Sequence, residues 1–79
     1  MPSPPRTPLL RLFARNLRAA RKRLALSQEA LAERAGVHPT YISLLEREQS
    51  RISLLAIERL ARALRVEPWE LLHPGRGMK

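Results

Sequence analysis

The stretch SQEALAERAGVHPTYISLLER, residues 27–47, decides how this chain folds. Ser27 is a helix cap standing just before Gln28, and Leu31, Ala32 and Ala35 follow at the three- and four-residue intervals of one helix face. Gly36 then falls where the helix needs a left-handed exit, a conformation that glycine enters without steric cost. His38 occupies a second cap position and Pro39 the first helical position, where a missing N–H is no loss. Ile42 and Leu45 face inward from this second helix. The stretch therefore predicts a helix from Gln28 to about Ala35, a turn, and a helix over 39–47.

Two short helices separated by a turn containing glycine have the spacing of a helix-turn-helix. At roughly 100° per residue, Ile42 and Leu45 define the buried side of the second helix. Thr40, Ser43, Leu44 and Arg47 then project from the opposite side, with Pro39 and Tyr41 on the flanks. A short helix offering small, hydroxyl-bearing and arginine side chains fits a DNA major groove about 12 Å wide.

Outward from this centre the chain also reads as helix. No stretch alternates with period two over the length of a strand, and hairpin turn signals are missing. A first helix starts with Thr7 as cap and Pro8 as first residue and ends near Leu24, its inner stripe being Leu10, Phe13, Leu17, Ala20 and Leu24. A fourth helix, capped by Ser53, turns Leu54, Ile57, Leu60, Ala61 and Leu64 inward. A short fifth helix begins at Pro68 and carries Trp69, Leu71 and Leu72; Trp69 is expected to cover the end of the fourth helix or to lie at a subunit contact. The fold class is thus all-α, a compact five-helix bundle. Residues 1–7 read as a flexible proline-rich tail, 8–73 as the domain, and 74–79 as a second flexible tail.

Bulk properties narrow the partners. Seventy-nine residues without cysteine make one small domain held by apolar packing, with no disulfide or thiolate metal site to help. The two histidines are scattered, so no metal is expected, and no cofactor either. Absence of cysteine fits a reducing cytoplasm. The net charge of +8 is concentrated at the start, where residues 1–23 carry seven bases and no acid. A basic face of this kind suits a polyanion, nucleic acid before membrane. An arginine-rich, acid-free start also has the look of a transit peptide, but Phe13, Leu17 and Ala20 are needed for the core. No apolar run approaches a membrane span. Aspartate is absent, and there is no paired-carboxylate cleft, nucleophile–base set or glycine-rich phosphate loop, so no catalytic residue is assigned and an enzyme is not expected.

From Phe13 to Leu72 the chain resembles the phage repressor and Cro-like helix-turn-helix family, whose fold is lambda-repressor-like. The matching stretches are LSQEALAERAGV (26–37), TYISLLERE (40–48) and SLLAIERLARALRV (53–66). Thr40-Tyr41-Ile42-Ser43 with Glu46-Arg47 looks most like the controller proteins of restriction-modification systems. The resemblance implies that Gln28 holds a DNA phosphate, beside the free N–H groups of its helix start. It places Thr40, Tyr41, Ser43 and Leu44 at bases or adjoining phosphates, and Arg51 on the backbone. It makes Arg21 and Glu46 a partly buried ion pair between the first and third helices. His38, Pro39 and Arg47 complete the expected DNA-binding set.

Departures from the family pattern matter too. Pro39 removes a polar donor, and Leu44 can offer only apolar contact, for example to a thymine methyl. The family usually ends three helices with glycine where this chain has Ala25, Glu48 and Arg65. A left-handed conformation at each would cost roughly 1–2 kcal/mol, so either the helices end differently or stability comes from elsewhere.

The resemblance implies a homodimer on a palindromic double-stranded DNA site, its dimer surface expected at Val66, Trp69, Leu71 and Leu72. RNA polymerase or a cognate toxin is the further protein partner to consider, and no membrane partner is expected. Two other readings stay open: an antitoxin of a toxin–antitoxin pair, and a protein–protein adaptor.

Overall fold

In the computed structural model, which describes residues 6–75, all regular structure is helical. Four α-helices follow in order: α1 (Pro8–Arg23), α2 (Gln28–Ala35), α3 (Pro39–Glu46) and α4 (Leu54–Leu64). The fifth expected helix is instead a single 3-10 turn, Pro68–Leu72. Five residues between Pro68 and the Pro74–Gly75 turn leave no length for an α-helical ladder. The turn closes through i→i+3 bonding, with Glu70 N–H donating to the Glu67 carbonyl at 2.9 Å. Residues 1–5 and 76–79 of the two expected tails lie outside the described residues.

Each α-helix starts on the cap its sequence announces. The side chains of Thr7, Ser27 and Ser53 accept from the N–H three residues on, and His38 Nδ1 accepts from Thr40 N–H at 3.0 Å. The ends are less orthodox. Gly36 exits α2 with φ of +72°, but Ala25, Glu48 and Arg65 also take left-handed conformations, at φ of +57°, +61° and +60°. The chain thus makes the same turns the family makes with glycine, at roughly 1–2 kcal/mol each.

One core holds the bundle. Phe13, Leu17, Leu31, Ile42, Leu45, Leu60, Leu64 and Leu71 are fully buried, and each such side chain contributes about 1.5–3 kcal/mol. α2 packs on both α3 and α4, and α1 packs on α3 and the 3-10 turn. Three expected core positions are not in it. Leu24 lies just past the last residue of α1 and is 36% exposed. Leu54 has the right angular position on α4, but as the first residue of the helix it stands at the rim of a groove and is 81% exposed. Trp69 is 57% exposed, its ring edge resting on His73.

Leu71 errs in the other direction. Expected on the dimer surface, it is buried in the core of the same chain. Asn16 explains the inward pull. This residue, 4% exposed on the inner stripe of α1, donates from Nδ2 to the carbonyls of Leu71 (3.1 Å) and His73 (3.0 Å). No helix of the described residues is long and apolar enough to cross a membrane.

Candidate nucleic-acid interface

α3 has two unlike sides. Ile42, Leu45 and Glu46 are buried against the bundle, whereas His38, Pro39, Thr40 and Arg47 are exposed. Tyr41, Ser43 and Leu44 are half-buried along the edges of the outer face. The helix ends at Glu46 rather than Arg47, which serves as C-cap. Arg47 folds back so that its Nε donates to the Ser43 carbonyl at 3.3 Å. With His38 Nδ1 accepting from Thr40, the ring proton sits on Nε2 and is the donor available to a ligand.

The half-buried Glu-Arg pair implied by the resemblance is a four-residue hub. Arg21 donates from Nε to Glu46 Oε2 at 2.6 Å and from Nη2 to Oε1 at 3.0 Å, a bidentate pair. Its Nη1 also donates to the Leu26 carbonyl, 2.8 Å away, holding the α1–α2 turn. Gln28 Nε2 (3.1 Å) and Arg18 Nε (3.4 Å) donate to Glu46 Oε1 as well. The Glu46 side chain is 1% exposed and that of Arg21 12%. Burial pushes the Glu46 carboxyl up, but the hydrogen bonds from Arg21, Gln28 and Arg18 and the Arg21 charge outweigh it and hold the group below its ordinary range. Arg21 is raised above its ordinary value, chiefly by its hydrogen bond to Glu46. Both stay charged at neutral pH. α1, α2 and α3 are therefore tied at one point directly behind the outer face of α3.

The hub also bears on Gln28. One of its two amide N–H groups is committed to Glu46, so a phosphate contact must use the other, together with the free backbone N–H groups of the α2 start. Tyr41 is tethered as well: its hydroxyl donates to the Arg51 carbonyl at 3.1 Å. Burial raises its pKa above the ordinary phenol value, and the Ser53 backbone draws it partly back. The Arg51 side chain stays exposed in the loop that follows α3.

Two residues were missed in the sequence. Arg18 reads as one solvated charge among several, yet it reaches the hub; the signal is its place one turn before Arg21 on the same side of α1. Asn16, three residues after Phe13 and four before Ala20, is a polar residue inside an apolar stripe, which is the mark of a buried anchor. Of the four residues expected on the dimer surface, only Trp69 is exposed; Val66 and Leu72 are partly buried against the core, and Leu71 is fully inside it. Among the described residues no group of His, Asp or Glu could hold a metal.

Residues 17–71 match the family model described as helix-turn-helix, and the chain belongs to that family of DNA-binding regulators. Its relatives narrow the class. It is 41% identical over 61 residues to control protein C.SmaI of Serratia marcescens, covering 77% of this chain and 73% of that one. It is 41% identical over 63 residues to a hypothetical transcription factor of Neisseria meningitidis, covering 80% of this chain but 59% of the relative. Among solved structures, the restriction-modification controller protein C.AhdI of Aeromonas hydrophila superposes with a TM-score of 0.76 at 44% identity, over 78% of this chain and 94% of that one. These relatives are regulators, not enzymes, and they give no support to the antitoxin or adaptor readings.

Proposed function

We propose that this protein is a transcription regulator of the restriction-modification controller type, acting as a homodimer on a two-fold symmetric operator. The observation that carries the reading is the division of α3. Its inner side is locked by Ile42, Leu45 and the Glu46 hub, so the outer side is presented as a rigid edge. Thr40, Ser43 and Leu44 on that edge read bases in the major groove, the first two by hydrogen bonds and Leu44 by apolar contact. Pro39 lies against the groove wall and removes one donor. Gln28, His38, Tyr41, Arg47 and Arg51 hold phosphates and set the register. One module of this size buries little surface, so tight binding needs two half-sites about 34–36 Å apart. Occupancy then follows protein concentration through the dimer equilibrium, and contact with RNA polymerase would convert occupancy into activation.

Selection of sites from a random duplex library tests this reading. A palindrome with half-sites one helical turn apart is expected, with affinity falling steeply as salt rises. On the selected site, Thr40→Ala and Ser43→Ala should each relax specificity by about 1–3 kcal/mol. Recovery of no preferred sequence would defeat the proposal.

A further inference from the structure

Four arginines share one groove, and no residue of α3 lines it. Arg34 near the end of α2 stands on one wall, and Arg59, Arg62 and Arg65 follow the last turns of α4 on the other. All four are exposed, and none has a side-chain ion pair or hydrogen bond among the described residues. Glu33 is the one acid in the lining, and it forms no ion pair with them. The bases of α1 are engaged in larger part. Arg18 and Arg21 are held by Glu46, Arg11 lies 3.8 Å from Glu48, and Arg15 donates to the Pro74 carbonyl at 3.5 Å.

Helix ends account for only half of the cluster. Arg34 and Arg62, in the last turns of α2 and α4, complement the negative ends of the helix dipoles. Arg59 lies before the last turn, and Arg65 caps α4 at φ of +60°, where glycine would sit with less strain. The chain keeps an arginine there against the preference of its own backbone.

We infer that this groove docks an acidic helix of a second protein, with carboxylates along one face at three- and four-residue spacing. The inference rests on the regulator reading above and adds a surface through which the DNA-bound chain engages another protein. Spacing argues for a helix. Arg59, Arg62 and Arg65 stand three residues apart, a step of about 4.5 Å along α4. Carboxylates three residues apart on a partner helix keep that step, whereas those on one side of a strand recur about every 6.6 Å. Arginine forks take carboxylates in bidentate pairs. Glu33 favours a protein over a duplex: a phosphodiester backbone offers a carboxylate no donor, while the free N–H groups at a helix start do. Ala35, Gly36 and Ala63 add little bulk between the arginines, and a Cβ placed on Gly36 would meet no atom within 4 Å. A helix can therefore come close to the backbone here. Gly36 also begins the turn into α3, so the groove borders the DNA-facing edge without belonging to it. A protein on the same duplex can reach it.

An NMR titration of the isotope-labelled full chain with a synthetic helical peptide tests the groove. The peptide carries glutamates on one face at three- and four-residue spacing in an alanine background. A scrambled peptide of the same composition spreads them around the helix. Amide shifts confined to residues 33–36 and 59–65 are expected with the patterned peptide, which should bind about fivefold more tightly than the scrambled one. Arg59→Gln with Arg62→Gln should weaken it about tenfold with unchanged circular dichroism, since both side chains are exposed. The same pair should leave affinity for the selected operator duplex within about threefold, because charges off the reading face are screened by salt. Equal binding of the two peptides, or shifts centred on the arginines of α1, would overturn the docking site. So would larger shifts of the groove amides with a duplex lacking the operator, which would make the groove a second nucleic-acid site. A wild-type chain with no preferred operator would defeat the regulator reading, while the peptide titration still decides the groove.

Discussion

The helix-turn-helix and the segments that flank it obey different rules. Within 27–47 every local device agrees with the fold: Ser27 and His38 cap, Pro39 starts a helix, Gly36 makes the left-handed turn, and Ile42 and Leu45 are buried. Outside it, three non-glycine residues are forced left-handed, a buried asparagine keeps Oδ1 without a partner, and leucines at the start of α4 face solvent. The motif is specified locally. The flanks are held in place by what they pack against, and are where stability and association can be adjusted without touching the reading face.

The comparison breaks most visibly at the hub. Glu46→Gln or Arg21→Ala should lose about 3–5 kcal/mol in urea unfolding, because either leaves a buried polar partner stranded. The hub also fixes a pH response. Glu46 has a folded value below its ordinary one near 4.5, so its contribution is present above that pH and is lost as pH falls through the depressed value. Stability measured from pH 6 to pH 2 should drop along this limb, and Glu46→Gln should flatten it. Arg21, raised above its ordinary value chiefly by its hydrogen bond to Glu46, keeps its contribution until pH rises through that raised value, so the neutral range is untouched.

Asn16 probes the flank at the next size of effect. Asn16→Ala leaves the Leu71 and His73 carbonyls without their donor and should cost about 1–3 kcal/mol. Hydrogen exchange should show the 3-10 turn opening before the helix-turn-helix does.

The sharpest contrast is the smallest in energy. Gly36→Ala should destabilise by about 1 kcal/mol; a methyl group there meets no atom within 4 Å, so the loss is conformational alone. Ala25→Gly, Glu48→Gly and Arg65→Gly, at the same backbone conformation, should each stabilise by about 1 kcal/mol. Thermal melts of the four variants would display opposite signs for one conformation. Equal signs would mean that neighbours, not backbone preference, govern these turns.

What could be read in advance follows the same division. The caps, Gly36 and the inner faces of α2 and α3 were legible because each is decided within four residues. Leu54 and Leu24 were misplaced because a helical period gives direction but not the neighbour that covers it. Trp69 could be read as core or as subunit contact and Leu71 as surface, and the buried Asn16 decides between them by drawing the last turn inward through Leu71 and leaving Trp69 outside. On the candidate interface, residue types and their common face were legible on α3. The commitment of Gln28 to Glu46 was not, since it depends on where a third helix, α1, sets Arg21 beside them.

The bonds between Asn16 and the carbonyls of Leu71 and His73 join residues 55 and 57 positions apart, and so impose an order in time. At about 5–20 residues per second, the ribosome takes roughly one to five seconds to pass from Glu46 to Leu72. During that interval the motif is complete in sequence while the space behind α1 is unfilled. A newborn chain of this kind acquires its core residue Leu71 only seconds after its helix-turn-helix has been made. Its appearance in the cell therefore lags its message, and truncation anywhere before Leu71 removes the same keystone.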